Sequence, residues 1–249
     1  MTSAQLRSSS YNALILAVTV FAMIGCSRMP GRPGPGPEVV RPEEVLDFPT
    51  LYRTNCAACH GEKGRNGAAI SLANPVYLAV AGEDILRHVT AHGVAGKLMP
   101  PFAKSDGGML TDLQINALTH GMVQEWGKPE ILAGQDTPPY RATQTGDVTR
   151  GQQAFGSFCA RCHGSAGEGS AEDNKSGAKV GSLVDGSYLA LISDQGLRSM
   201  IIAGWPDEGM PDWRTDAAQR MTDQQITDIV AWLASKRSAD PGPPYPAKP

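Results

Sequence analysis

Cysteine is scarce in this chain: five residues among 249, beside 28 glycines and 19 prolines. So few thiols cannot build the dense disulfide framework that holds small secreted scaffolds together. An excess of one charge is missing too. The 22 basic and 25 acidic side chains leave a net charge of -3, with no single-sign run, which argues against nucleic acid as a partner. Nor does the run at residues 13–25, "ALILAVTVFAMIG", have membrane-spanning length. As a helix it covers ~20 Å of a hydrocarbon core about 30 Å thick. Alternating strand patterns of any length are absent, which removes a βαβ redox fold. The hydrophobic content of 41% suffices for two small cores.

What is present begins at the N-terminus. The apolar run is the size of a signal-peptide core and ends in Met23-Ile24-Gly25-Cys26, which resembles a bacterial lipobox. Cys26 is then the lipid-bearing residue of an exported protein, anchored on the periplasmic or outer face of a bacterial membrane. A plain cleaved signal peptide and a short uncleaved anchor are the other readings, and each exports the chain. Residues 26–49 are rich in proline and glycine and read as an extended tether. The stretch 134–146 reads as a linker and 238–249 as a flexible tail, which leaves domains at 50–133 and 147–237.

The two domains are copies. "NCAACHGEKG" at 55–64 returns as "FCARCHGSAG" at 158–167, with Cys56 matching Cys159 at an offset of 103. Past an insertion, "SAEDNKSG" at 170–177, the offset becomes 111 and holds through Ser71-Leu72, Tyr77-Leu78, Gly93, Met99-Pro100 and Thr111-Asp112. One unit of roughly 85–90 residues is thus repeated in tandem. Each copy opens on a helix ahead of its cysteine pair, carrying Phe48 and Tyr52 or Phe155 and Phe158. Each closes on a helix announced by a capping box, Thr111–Gln114 or Thr222–Gln225. Apolar positions follow at i, i+3 and i+7: Ile115, Leu118, Met122 and Ile226, Ile229, Leu233. The expected class is mainly α.

With Cys26 set aside, Cys56, Cys59, Cys159 and Cys162 form two Cys-x-x-Cys pairs, each followed by a histidine, His60 and His163. On a turn of helix the two thiols point the same way and can add across two porphyrin vinyl groups. The next residue then offers its imidazole to the iron from the same side. A shared zinc site would need neither histidine and would join pairs 103 residues apart. A thioredoxin-like pair or two local disulfides are the remaining readings of the thiols. Two haems c account for both histidines as well.

These residues make the chain resemble the class I c-type cytochromes, as a tandem di-haem lipoprotein, over 48–130 and 148–237. The resemblance implies two cytochrome c-like helical domains, each enclosing one covalently bound haem. It also implies that the closing helix of each crosses the first. Gly151, Phe155 and Trp232 fit that crossing in the second copy; the first departs from it, with Phe48 in the place of Gly151 and Gly121 in the place of Trp232. The same resemblance makes Met99 in "GKLMPPF" and Met210 in "DEGMPDW" the sixth iron ligands, opposite His60 and His163. A soft thioether favours ferrous iron and raises the potential relative to a second imidazole. His88 and His92 are rival sixth ligands in the first copy, where the second has Ser199 and Ala203. Arg87 and Arg198 match across the repeat and either pair with a haem propionate or cover surface, while Met109, Met122, Met200 and Met221 are packing residues.

Function follows as electron transfer without catalysis by the chain itself. The expected protein relays single electrons between respiratory or photosynthetic redox complexes, or belongs to one. Its partners are a quinol-oxidising complex, a terminal oxidase or reductase, or other cytochromes, together with the membrane through Cys26. The rival class is a di-haem peroxidase-like enzyme with one open haem face; a haem-based gas sensor is a third reading.

Overall fold

A computed structural model describes residue 36 and residues 40–169, 180–214 and 219–238. The expected lipobox with Cys26, most of the tether, the 170–177 insertion and the tail from 239 fall outside these residues. All helices named below belong to the unit that begins at Glu43.

The first half runs α1 (Phe48–Asn55), α2 (Ala57–His60), α3 (Pro75–His92) and α4 (Asp112–Trp126). The second runs α5 (Val148–Phe158), α6 (Ala160–His163), α7 (Gly186–Leu191), α8 (Asp194–Ala203) and α9 (Asp223–Ala234). Among the described residues the only β-pairing is two isolated bridges, Ala103 with Leu110 and Trp205 with Met210. The fold is mainly helical, as the sequence implied, and among the described residues no helix is long and apolar enough to cross a membrane.

Caps set the helix starts. Asp47 accepts the Thr50 amide at 2.9 Å ahead of α1, and Asp147 accepts the Arg150 amide at 2.8 Å ahead of α5. Both expected capping boxes form, with Thr111 and Thr222 exchanging hydrogen bonds with Gln114 and Gln225. Between first and closing helices the copies differ. The first has one helix kinked at Gly82 (φ 70°); the second has a break there, with α7 ending and Ser193 capping α8. Gly82 and Ser193 are repeat equivalents, so the same bend is made once by a left-handed glycine and once by a fresh N-cap.

The first and closing helices cross through a hole and a knob, and the two copies place them on opposite partners. In the second half the hole is Gly151 on α5: a Cβ there would lie 2.0 Å from the Asp228 carbonyl oxygen and 2.8 Å from Cβ of Trp232. Trp232 supplies the knob, its ring 4.4 Å from that of Phe155. In the first half the hole is Gly121 on α4, where a Cβ would lie 2.3 Å from the Phe48 ring, and the knob is Phe48 on α1. Trp126 closes this packing edge-on, 5.4 Å from Phe48 and 5.0 Å from Tyr52. The departure of the first copy is an exchange of roles that preserves the close approach of the helices.

A buried carboxylate ties α9 to α5 as well. Asp228, 2% exposed, accepts from the Asp147 amide at 2.7 Å, from Arg150 Nε at 2.8 Å and from Gln224 Nε2 at 2.8 Å. Burial alone would raise its pKa, but these donors outweigh it and hold the carboxyl below its usual range.

Gly151→Ala should overfill the crossing and lower stability by about 1–3 kcal/mol. Gly156→Ala on the same helix meets nothing within 4 Å and should be neutral or stabilising by roughly 0.5–1 kcal/mol. Thermal unfolding of the pair checks this. Because the folded-state pKa of Asp228 is depressed below 3.8, its contribution is complete above about pH 4 and is lost as pH falls through the folded value. Thermal midpoints measured from pH 6 down to pH 2 should fall less steeply in Asp228→Asn than in the parent protein.

Candidate haem-binding sites

The two Cys-x-x-Cys-His elements share one backbone geometry. Cys56 joins α1 to α2 at φ -117°, ψ -34°, and Cys159 joins α5 to α6 at φ -118°, ψ -33°. Gly61 and Gly164 then stop the short helices, each at φ 81°. At Gly61 a Cβ would fall 1.7 Å from the Arg65 carbonyl oxygen, so only glycine lets the chain fold back directly behind the histidine. Tyr52, buried on α1, donates its hydroxyl to the Gly61 carbonyl at 2.8 Å and fixes this turn to the helix before it.

None of the four cysteines of the two pairs forms a disulfide. Burial, with the neighbouring thiol second, pushes Cys56 and Cys159 up to about 12, so both are neutral. A redox-active pair needs a depressed thiol pKa. Among the described residues no group of three or more His, Cys, Asp or Glu side chains could hold a metal ion, which leaves the shared zinc site without support.

His60 is buried and donates from Nδ1 to the Ile70 carbonyl at 2.8 Å. A carbonyl only accepts, so the proton sits on Nδ1 and the Nε2 lone pair is free for a metal. Burial lowers its pKa, against a smaller rise from that hydrogen bond, and keeps the ring neutral. Burial also lowers His163, but its Nδ1 is buried with no partner among the described residues. The register change between the copies lies just beyond this ring.

Met99 and Met210 sit at the same place in the fold, both half-buried. The helices before them end at Gly93 (φ 68°) and Gly204 (φ 65°), where a Cβ would lie 2.6 Å and 2.5 Å from the carbonyl carbons of Pro100 and Pro211. The Met99 carbonyl accepts from the Val94 amide at 3.0 Å. Met210 pairs with Trp205 through two backbone hydrogen bonds of 2.9 and 3.0 Å. Trp205 Nε1 is buried without a partner among the described residues. Neutral paired thiols, an imidazole with a free Nε2, a pinned methionine and an indole N–H lacking an acceptor fit a haem, whose carboxylates would supply that acceptor. Sequence reasoning passed over Trp205; its only signal was an aromatic five residues ahead of Met210, with Val94 in its place in the first copy.

The remaining expected residues divide between paired side chains and packing. His92 contacts the Asp106 carboxylate through Nδ1, and His88 stacks obliquely on it with ring centroids 4.6 Å apart. Arg87 bonds Asp84 at 2.6 Å. Arg198, 2% exposed, neither covers surface nor has a hand to spare for a propionate. Its guanidinium is taken up by Asp223, by Thr227 at 3.0 Å and by the Pro139 and Tyr140 carbonyls. Met122 and Met221 are buried packing residues, whereas Met109 is 79% exposed.

The halves are joined beside both methionine loops. Asn74, 5% exposed, caps α3 by accepting the Val76 and Tyr77 amides through Oδ1. Its Nδ2 donates across to the Ala203 and Gly204 carbonyls at 3.0 and 3.2 Å. Lys97 Nζ donates to the Ala190 carbonyl at 2.6 Å, and Arg65 pairs with Asp207 at 3.4 Å. Sequence pattern signals the cap in Asn74-Pro75 but carries no signal for a partner 129 residues away.

Comparison with known proteins agrees with this geometry. Residues 148–236 match the family model "Cytochrome c", and residues 44–120 match "Cytochrome C oxidase, cbb3-type, subunit III". Cbb3-type cytochrome c oxidase subunit CcoP of Azospirillum sp. (strain B510) is 26% identical over 212 residues, 79% of this chain and 65% of that subunit. Subunit FixPc of Rhizobium leguminosarum bv. viciae is 27% identical over 198 residues, 75% of this chain and 58% of that protein. The chain thus spans less than two thirds of the length of these relatives. A chain of the Kuenenia stuttgartiensis reducing HAO-like protein complex Kustc0457/Kustc0458 aligns at TM-score 0.46 and 15% identity, over 81% of this chain and 99% of its own. Two sequence-matched domains, each built around the same Cys-x-x-Cys-His turn, place the chain in the cytochrome c family as a tandem of two domains that carry two haems c.

Proposed function

We propose that this chain is a non-catalytic electron-transfer subunit that relays single electrons between two haems held in one unit, as part of, or docked to, a terminal oxidase of the cbb3 kind. The observation that carries the reading is Asn74. One buried side chain starts the helix that leads to the Met99 loop and grips the end of the helix that leads to the Met210 loop. The two methionine loops are thereby fixed relative to each other, which a relay needs and two independent carriers do not. Relatives that are cbb3-type oxidase subunits by name support the choice of partner.

In this reading Cys56 and Cys59, and Cys159 and Cys162, each bind covalently to one porphyrin. His60 and His163, through Nε2, and Met99 and Met210, through sulfur, would be the residues that hold the iron of each haem. Each bound haem supplies a one-electron ferric–ferrous couple. The chain holds the two imidazoles neutral by burial. It ties His60 through the Ile70 carbonyl, which strengthens that ring as a donor. Prolines 100 and 211 stiffen the methionine loops and lower the entropic cost of presenting the sulfur. A methionine ligand from each loop would close both irons to peroxide. The apolar run ending at Cys26 adds a lipid anchor on an exported head, which raises its effective concentration at membrane redox complexes.

Met99→Ala should keep both haems attached and lower one potential on the order of 0.1 V, within the ~0.8 V range that axial ligands span. The ferrous protein should then bind carbon monoxide at that site; Met210→Ala should do the same at the other. Spectroscopic redox titration reads both, and two unchanged potentials would refute the ligand assignment. Asn74→Asp keeps the Oδ1 cap but loses the donor to Ala203 and Gly204, whereas Asn74→Ala loses both and should cost about 2 kcal/mol. Both variants should slow electron equilibration between the haems after flash reduction. Unaltered equilibration in the Asp variant would count against the fixed relay.

A further inference from the structure

Three histidines lie outside both haem sites, His88, His92 and His120, and the first two are neighbours. His88 and His92 lie four residues apart on the C-terminal half of α3, so both rings project from one helix face, with centroids 4.6 Å apart. Two imidazoles at that spacing can share one cation, because a single turn brings their nitrogens together. His92 Nδ1 faces the Asp106 carboxylate, which sits in the 3₁₀ turn Lys104–Asp106. A carboxylate accepts that proton, so the His92 Nε2 lone pair is left outward and the ring is held in one orientation. Both rings border an open cleft of about 460 Å³ that Asp84, Asp112 and Asn116 also line. The one cation on this cleft, Arg87, is drawn to Asp84.

We propose that His88 and His92 form a surface site for a late first-row divalent cation such as Zn²⁺, with Asp106 as the residue that positions His92. The protein provides two ligands, one fewer than a built catalytic zinc site, and water from the open cleft completes the coordination. Binding is accordingly modest and reversible. The ion clips one turn of α3, and the His92–Asp106 contact joins that turn to the 3₁₀ segment that follows Met99-Pro100-Pro101. This site stands independently of the electron-relay reading.

The test is calorimetric titration of Zn²⁺ into the full-length, haem-loaded protein. One ion per chain is expected at this site. That binding should vanish in the double variant His88→Asn, His92→Asn, and weaken about 10-fold in Asp106→Asn. His88 and His92 are exposed, so the variants should keep their fold; unchanged haem spectra and thermal midpoints without metal check this. Zinc should also raise the midpoint of the parent protein and leave that of the double variant unmoved. Absence of zinc-dependent heat, or undiminished binding in the double variant, overturns the proposal.

Discussion

Everything at the two sites depends on stopping a helix one residue after a histidine. Gly61 and Gly164 take a positive φ that other residues adopt only under strain, and at Gly61 a side chain would collide with backbone. If that turn opened, the returning loop would move, and in the first half the Ile70 carbonyl would leave His60. The thiols precede the histidine on the same rigid turn. One backbone constraint thus sets the direction of three side chains, and the rest of each domain packs to keep that turn in place. Tyr52 shows the dependence directly, since its hydroxyl is spent on the Gly61 carbonyl.

Around this constraint the copies have drifted in ways that conserve shape over identity. Phe48 over Gly121 and Gly151 under Trp232 are mirror solutions to one helix crossing. The kink at Gly82 and the Ser193 cap are two solutions to one bend. The surroundings of the two histidines, by contrast, are unequal: His60 is tied to a carbonyl and His163 Nδ1 has no partner among the described residues. Hydrogen bonding at the remote nitrogen tunes a metal-bound imidazole, so in the proposed ligation this difference would set the two irons apart although the backbones are nearly equal.

Local chemistry was legible in the sequence and cross-domain chemistry was not. Cys-x-x-Cys-His, the capping boxes and the Met-Pro pairs act over a few residues, and their spacing states their geometry. The exchange of Phe48 and Gly121 read as a departure, because a single alignment column cannot show that a missing bulk has reappeared on the facing helix. Arg198 was misjudged for a similar reason: a matched arginine beside a suspected haem suggests a propionate, but its partners are carbonyls in residues 139–140, 58 or 59 positions away. Asn74 announced its cap through the proline behind it and hid its second function in an amide nitrogen. The 134–146 stretch read as a passive connection, yet its Tyr140 carbonyl accepts from Gln195 Nε2 at 2.8 Å and from Arg198 Nε at 3.1 Å.

The burial of Arg198 has a consequence for how the molecule can be divided. Its guanidinium is shared between Asp223 on the closing helix and the main chain of Pro139 and Tyr140, so part of the second domain's interior is made of the segment that precedes it. A fragment begun at Asp147 would keep Asp223 but remove the two carbonyls, and a lost hydrogen bond to a charged group costs about 1.5–3 kcal/mol. The seam between the halves therefore runs upstream of Pro139, and any excision or transplantation of the C-terminal module has to carry those residues with it.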